Sequence, residues 1–536
     1  MRLNNKDLAN KAQWEKAGIE LPKFDREAMI AATMKTPEWV HFGAGNIFRA
    51  YLAALSQSLL EQGISRTGIV VVGGYNGEII DKCFTPFDNL CLLVTLKSDG
   101  TTEKKIIASV ASSYRMDNGI ADLRKIFTNP SLKMASFTIT EKGYNLQGQD
   151  GALAPDVSTD MKASPCEAKS YLGRITALCH ERYAKGAMPL ALVSMDNCSH
   201  NGDRLFAVVE AFAKAWVENG SAEKGFLDYV RNREKLSFPW TMIDKITPGP
   251  DESVREMLSA AGIEDMQAFT TKKNTHVAPF VNAEETQYLV IEDNFPGGRI
   301  ALEKAGAIFT QKETVDKVEK MKVCTCLNPL HTALAIFGCL LGYTRISEEM
   351  KNADLVNLIK AIGYREGLPV VVDPGILNPK EFIDTVINVR LPNPFMPDAP
   401  QRIAMDTSQK IPVRYGETLK AYISNKTLNI DDLKLIPLVF AGWLRYLLGI
   451  DDEGKPFTVS PDPQYENLSS MLSGISLGQK GPFREKLKPI LSNPALFGVN
   501  LYETILGEKV EAYFEELLAG PGAVAKTLKK YQPAKI

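Results

Sequence analysis

The sequence predicts an α/β protein in two parts, an N-terminal domain built on a mostly parallel sheet and a mostly α-helical C-terminal domain. Three observations predict it. Through the first half, short β-branched runs alternate with stretches of helical period, the pattern of strand–helix–strand units. From about residue 300 helical spacing takes over and β-branched runs become few. At 536 residues the chain also exceeds one ordinary domain. The change of texture therefore reads as a boundary, with domains at 1–298 and 299–536.

"WVHFG", from Trp39, is the first strand. In "NIFRAYLAALSQSLLEQG", Ile47, Tyr51, Leu55 and Leu59 recur every fourth residue on one face, predicting a helix that ends at Gly63. "GIVVVGGY" (Gly68 to Tyr75) is the second strand, and "MASFTIT" (Met134 to Thr140) and "PLALVSM" (Pro189 to Met195) are two later ones. The last leads into the helical pattern "RLFAVVEAFAKAWVENG". In the second half, "TALAIFGCLLGY", "ADLVNLIKAIG", "LIPLVFAGWLRYLLG", "REKLKPILSN" and "KVEAYFEELLAG" all carry helical spacing. "RLPNPFMPDAP" (Arg390 to Pro400) is too rich in proline for either regular form and reads as a loop.

Composition narrows the function classes. A hydrophobic share of 45%, with 24% charged residues and a net charge of −2, describes a globular protein with no bias toward nucleic acid or membrane surfaces. The N-terminal stretch is polar, and the apolar run "LKLIPLVFAGWLRYLLGI" is short and contains Arg445, so a bilayer span is not expected. Eight cysteines lie scattered without a CxxC, and the five histidines are dispersed. No metal-ligand spacing is present in the sequence. A reducing cytoplasm and metal-independent chemistry are the expectations.

The turn after the first strand reads Gly43-x-Gly45-x-x-Phe48, a dinucleotide fingerprint with its third glycine replaced. The first glycine permits a tight strand-to-helix turn, and the second lets backbone approach a pyrophosphate facing the helix N-terminus. That makes the first domain Rossmann-like. The second strand ends in "VVGGYNGE" without an acid placed to grip the ribose, since Glu78 comes late. NAD is the expected cofactor, and the choice against NADP stays open.

Five further segments carry a resemblance. "SFPWTMIDKITP" (Ser237 to Pro248) resembles the signature of the polyol-specific long-chain dehydrogenases, which usually contains Val-Asp-Arg-Ile-Thr-Pro. "TITEKGY" (Thr138 to Tyr144), "SMDNCSHNG" (Ser194 to Gly202), "YLVIEDNFPGGR" (Tyr288 to Arg299) and "EKMKVCTCLNPLH" (Glu319 to His331) are similar to that mannitol dehydrogenase family too, in the right order. The resemblance implies zinc-independent hydride transfer between a sugar-derived carbinol and a nicotinamide, in a cleft between the two domains. It implies a monomer or small homo-oligomer with a small sugar acid or polyol as its partner.

The site residues follow from the matched motifs. Lys322 matches the family's general acid/base, and Glu319 the carboxylate that relays its proton. Asn197 and Asn328 match the pair of asparagines that donate to the alkoxide, and His331 the residue that orients substrate hydroxyls. Arg402 and Lys410, in "QRIAMDTSQKIP", match basic residues of the substrate pocket, and Asp244 is expected in its floor. Gly43, Gly45, Asn46, Phe48, Arg49, Glu141 and Lys142 match the cofactor-binding segments. Without the resemblance, Lys322 reads as part of a solvated helix face. Asn328–Pro329 then reads as an N-cap followed by proline at the first helical position, and His331 as a packed core residue.

The spacing carries a departure. Asn328 lies six positions after Lys322, one more than the family's usual interval. In a regular helix the added residue turns Lys322 by about 100° relative to Asn328 and His331. Pro329 also disfavours helical geometry at the residue before it. A π-bulge or break between Val323 and Leu327 is therefore predicted, with Lys320 as the candidate if the helix proves regular.

Paired cations suit a carboxylate, and "CTCLNPLH" is more like the mannonate branch of the family than the mannitol branch, so a hexonate such as D-mannonate (D-fructuronate in its keto form) is favoured. A neutral polyol such as mannitol or arabinitol is the alternative. A nucleotide-sensing protein without turnover is the remote one.

Overall fold

The computed structural model describes residues 1–74, 77–118, 120–148 and 151–531. The chain forms two compact units, one of Met1–Lys97 with Thr101–Val315, the other of Asp316–Ile536 with the short segment Ser98–Gly100.

The first unit is organised by a six-stranded parallel sheet. Its strands are β1 (Trp39–Phe42), β2 (Ile69–Gly73), β3 (Val110–Arg115), β4 (Met134–Phe137), β5 (Leu190–Ser194) and β6 (Leu236–Ser237), in spatial order β3-β2-β1-β4-β5-β6. Every neighbouring pair is parallel, with Val40 beside Val70 on one side and Ala135 on the other. Tyr75, the end of the second strand expected from sequence, lies outside the described residues.

Helices cover both faces of this sheet, so its central strands are buried throughout rather than alternating between buried and exposed residues. Alternate side chains still go to opposite layers. Val40, Phe42, Val70, Val72 and Leu192 pack with α2 (Tyr171–Ala184) and α3 (Asn201–Glu218). Trp39, Ile69, Val71 and Val193 pack on the other side with α1 (Ala53–Glu61) and the π-helical turn Phe48–Leu52 that precedes it. The predicted face of that helix is in place, Tyr51, Leu55 and Leu59 being buried. Gly63 follows its last turn at φ +69°, the left-handed conformation that ends helices. The unit continues to Val315 because Ile308–Thr310 pairs parallel with Tyr288–Glu292.

The second unit is helical. Its core is built around α5 (Asn328–Leu340), α6 (Ala353–Ala361) and α8 (Leu435–Tyr446). Arg445 within the apolar α8 is fully buried because its guanidinium donates to the carbonyls of Leu517, Ile450 and Asp451, at 3.3, 2.5 and 3.0 Å. α5 continues from α4 (Lys312–Met321), and the joined stretch Lys312–Leu340 is long and apolar enough to cross a membrane, but 78% of its most apolar window is buried inside the protein.

Candidate active site

In the first unit the site begins where β1 meets the glycine turn. Gly43 stands at φ +130°, and a Cβ there would lie 2.3 Å from the carbonyl oxygen of Thr138. Only glycine fits that turn against the end of β4. Around Gly45 no atom lies within 4 Å of a Cβ position. Nothing in the protein demands glycine there, whereas a pyrophosphate seated over the turn would.

Phe48, in place of the third glycine, is fully buried and stacks on the His41 ring at 4.4 Å. His41 is held between the hydroxyls of Ser136 (2.7 Å) and Thr138 (2.9 Å), and burial pushes its pKa down to about 3. The side chain of Asn46 is engaged at both ends, donating to the Pro248 carbonyl at 3.1 Å and accepting from Arg49 at 2.8 Å. Arg49, 1% exposed, also donates to the Ala278 carbonyl at 2.6 Å. Phe48, Asn46 and Arg49 therefore shape the turn from within the unit, and Arg49 Nε is left buried with no hydrogen-bond partner among the described residues.

Asp196 organises the ends of β4 and β5. Its carboxylate accepts from the backbone N–H of Ile139 (2.9 Å) and Thr140 (2.8 Å) and from the Tyr144 hydroxyl (2.6 Å). These bonds hold Thr140 at φ +65° and fix the "TITEKGY" loop. Glu141 is exposed and pairs with Arg204 at 2.9 Å, and Lys142 is exposed. Asn197, next to Asp196, is exposed, with no side-chain hydrogen bond among the described residues. Asp244 is 7% exposed at the end of the strand Thr241–Asp244. Its charge adds to burial in raising the Tyr51 phenol well above its ordinary value.

In the second unit, α4 gives way at Lys322 to a π-helical turn, Lys322–Cys326. The Leu327 N–H donates to the Lys322 carbonyl at 3.1 Å, five residues back, and α5 restarts with the His331 N–H donating to Leu327 at 3.0 Å. Leu327 breaks the helical geometry at φ −126°, ψ −61°. The predicted irregularity is present. A π turn contains one residue more than an α turn, so it absorbs the extra residue.

Lys322 is 4% exposed and does not lie on a solvated face. Lys320 is an exposed partner of Asp316 at 2.8 Å, which raises its pKa, and so it is the wrong lysine for a base. Asn328 makes no side-chain cap for α5, and its amide has no partner among the described residues. Glu319 is half-buried one turn before Lys322.

His331 follows on the first turn of α5. Its Nε2 is buried without a hydrogen bond among the described residues, 3.4 Å from Asp398 Oδ2. Burial pushes its pKa below the ordinary histidine value. Asp398 opposes this, and the charges of Arg414, Arg402 and Arg390 reinforce it. Arg402 is itself ion-paired to Asp398. Lys410 donates to the carbonyls of Ile403, at 3.0 Å, and of Met405, and burial with its arginine neighbours lowers its pKa to about 8. Sequence reasoning missed Arg390, Asp398 and Arg414. The signal for Arg414 was its place four residues after Lys410, one turn along the helix α7 (Thr407–Arg414).

Two family models match almost end to end, the mannitol dehydrogenase Rossmann domain over residues 37–304 and the mannitol dehydrogenase C-terminal domain over 314–518. The chain belongs to the mannitol dehydrogenase family. Family membership makes it an oxidoreductase of CH–OH groups. Within the family it is 53% identical over 535 residues to the D-mannonate oxidoreductase of Thermotoga maritima, covering 99% of each chain. Among solved structures it is similar to a D-sorbitol dehydrogenase in substrate-free form (TM-score 0.80, 25% identity, 96% of this chain and 98% of that one). It is also similar to the mannitol 2-dehydrogenase of Pseudomonas fluorescens in a ternary complex with NAD and D-mannitol (TM-score 0.70, 25% identity, 99% of both).

Proposed function

We propose that the chain interconverts a hexonate alcohol and its keto form, D-mannonate and D-fructuronate being favoured, with NAD as cofactor. The supporting observation is the π turn, which buries Lys322 and is followed directly by the uncapped amide of Asn328 and by His331, whose Nε2 is buried. The 53% identity to a D-mannonate oxidoreductase supports the substrate class.

When bound, the nicotinamide supplies the hydride acceptor that no side chain can provide. The residues of the chain handle the oxygen and its proton. In this reading the Lys322 amine takes the hydroxyl proton, and Glu319 relays it toward solvent. The amides of Asn197 and Asn328 donate to the oxygen as it becomes anionic. His331, held neutral, orients a neighbouring hydroxyl of the substrate. Gly43 and Gly45 leave the backbone of the turn open to the cofactor's pyrophosphate, with Glu141 and Lys142 on the loop after β4.

A panel of D-mannonate, D-mannitol and D-arabinitol with NAD and NADP, followed by absorbance of the reduced cofactor, tests the proposal. D-mannonate with NAD should give the highest kcat/KM, and Lys322→Ala should reduce turnover by a factor of about 1,000 or more while reduced cofactor still binds. A preference for a neutral polyol would replace the substrate assignment, and full activity in Lys322→Ala would remove the base.

A further inference from the structure

The basic side chains around His331 are not equivalent. Arg402, the guanidinium that sequence reasoning assigned to the substrate pocket, is 61% exposed and occupied by Asp398. Lys410 is occupied by two backbone carbonyls. Arg414, at the end of α7, is different. Its Nη1 donates to the Thr332 hydroxyl at 2.5 Å and reaches the Asn328 carbonyl at 3.4 Å, which fixes the guanidinium against the first turn of α5 between Asn328 and His331. The neighbouring Tyr415 hydroxyl pins the same turn through the Pro329 carbonyl at 2.5 Å.

The other edge of that guanidinium is open. Nε and Nη2 have no partner among the described residues, yet neither is a buried orphan, so both reach solvent. Among the described residues no carboxylate pairs with Arg414, although burial is strong enough to lower its pKa to about 10. A largely buried cation without a counter-ion is unfavourable until an anion arrives. The Nε–Nη2 edge presents two parallel N–H donors, the geometry that a carboxylate accepts from bidentately.

We infer that Arg414, through its free Nε–Nη2 edge, is the anchor for the substrate's carboxylate and thereby sets the preference for a sugar acid over a neutral polyol. This rests on the hexonate reading above and adds its specificity determinant. Nη1 holds the guanidinium to the turn that bears Asn328 and His331, so a carboxylate on the opposite edge is placed at a fixed distance from the groups that handle the reacting oxygen.

The test compares kcat/KM for D-mannonate and D-mannitol in the wild-type enzyme, Arg414→Met, Arg414→Lys, Arg402→Met and Thr332→Val. In Arg414→Met the mannonate-to-mannitol ratio should fall about 100-fold, mainly through a higher KM for mannonate. Arg414→Lys keeps the charge but loses the two-pronged edge and should recover only part of the ratio. Thr332→Val removes the internal partner of Nη1 and should change the ratio far less than Arg414→Met. Millimolar guanidinium added to Arg414→Ala should restore part of the mannonate activity.

Equal losses in Thr332→Val and Arg414→Met would show that Arg414 acts only by holding the helix, and would overturn the inference. So would a larger loss in Arg402→Met than in Arg414→Met, or an unchanged ratio in Arg414→Met. A wild-type enzyme that oxidises mannitol but ignores mannonate would overturn the hexonate reading itself, and the anchor with it.

Discussion

Lys322 and Asn328 are joined by a π-helical turn, the Leu327 N–H reaching back five residues to the Lys322 carbonyl. The consequence concerns register. Six positions through a π turn advance the helix about as far as five positions of α-helix do, so the residues beyond Leu327 face as they would without the inserted one.

Deleting Cys324, one of the half-buried residues of the turn, should therefore let it relax to α-helix with the aim of Lys322 kept. Turnover within about tenfold of wild type is the expected result. Inserting an alanine after Cys324 instead turns the lysine by about 100°, and turnover should fall by three orders of magnitude or more. Steady-state assays on the two variants decide the matter: equal loss in both would mean that register is not what the turn protects.

The glycine turn separates fold from ligand. Gly43→Ala places a Cβ within 2.3 Å of the Thr138 carbonyl oxygen at a positive φ, and should destabilise the first unit by roughly 2–4 kcal/mol. Gly45→Ala meets no atom within 4 Å, so thermal unfolding without cofactor should barely move. Its cost should appear in cofactor binding, weakened about tenfold or more. Titration of reduced-cofactor fluorescence alongside thermal melts checks both, and undiminished binding in Gly45→Ala would put the pyrophosphate elsewhere.

The sequence revealed most about the parts whose physics is local. Four of the six parallel strands were legible because a sheet covered on both faces favours apolar runs such as Ile69–Gly73, and the helix after β1 because its buried stripe repeats every fourth residue, whereas Val110–Arg115 ("VASSYR") and the two-residue Leu236–Ser237 carry no such run. Even the π turn was legible, from the one residue by which the chain exceeds the family's usual interval between Lys322 and Asn328. The antiparallel pair Cys91–Leu96 and Thr102–Ile107 was not, since the second strand reads "TEKKII", with its polar residues partly exposed. In the site, Lys322 and His331 could be named, but the pairing of Arg402 with Asp398 and the open edge of Arg414 depend on how α5 and α7 meet. No spacing along the chain encodes which guanidinium is left without an anion.

Two histidines should stay neutral well below the usual range. Burial lowers the pKa of His41 to about 3 and pushes that of His331 below its ordinary value. In the unfolded chain both take up protons near pH 6.5, so their effect on stability is nil above that pH and turns unfavourable as pH falls below it. Their imidazole proton resonances should hold steady from pH 7.5 to 5.5. Arg414→Met removes one of the charges acting on His331, with Arg402, Arg390 and Asp398 left in place, and should move its midpoint upward. A His331 that titrates at the same pH in both proteins would mean that Arg414 does not act on the ring.

Glu349 makes the opposite case. Its carboxyl is fully buried, neither oxygen has a hydrogen-bond partner among the described residues, and a Cβ on Gly338 would fall 1.9 Å from Oε1, so only glycine on α5 leaves room for it. Burial raises its pKa to about 9, which means that the folded protein carries this group as a neutral acid at pH 7. The unfolded chain loses that proton near pH 4.5. Stability from this group is therefore complete below pH 4.5 and is lost as pH rises toward 9, at a rate of up to about 1.4 kcal/mol per pH unit. Glu349→Gln has nothing to ionise and should remove that slope, so its melting temperature should exceed that of the wild type increasingly from pH 6 to 9. Melting curves across that range give the answer, since parallel profiles for the two proteins would require the wild-type carboxylate to be ionised in the fold, with water or a cation reaching it past Gly338.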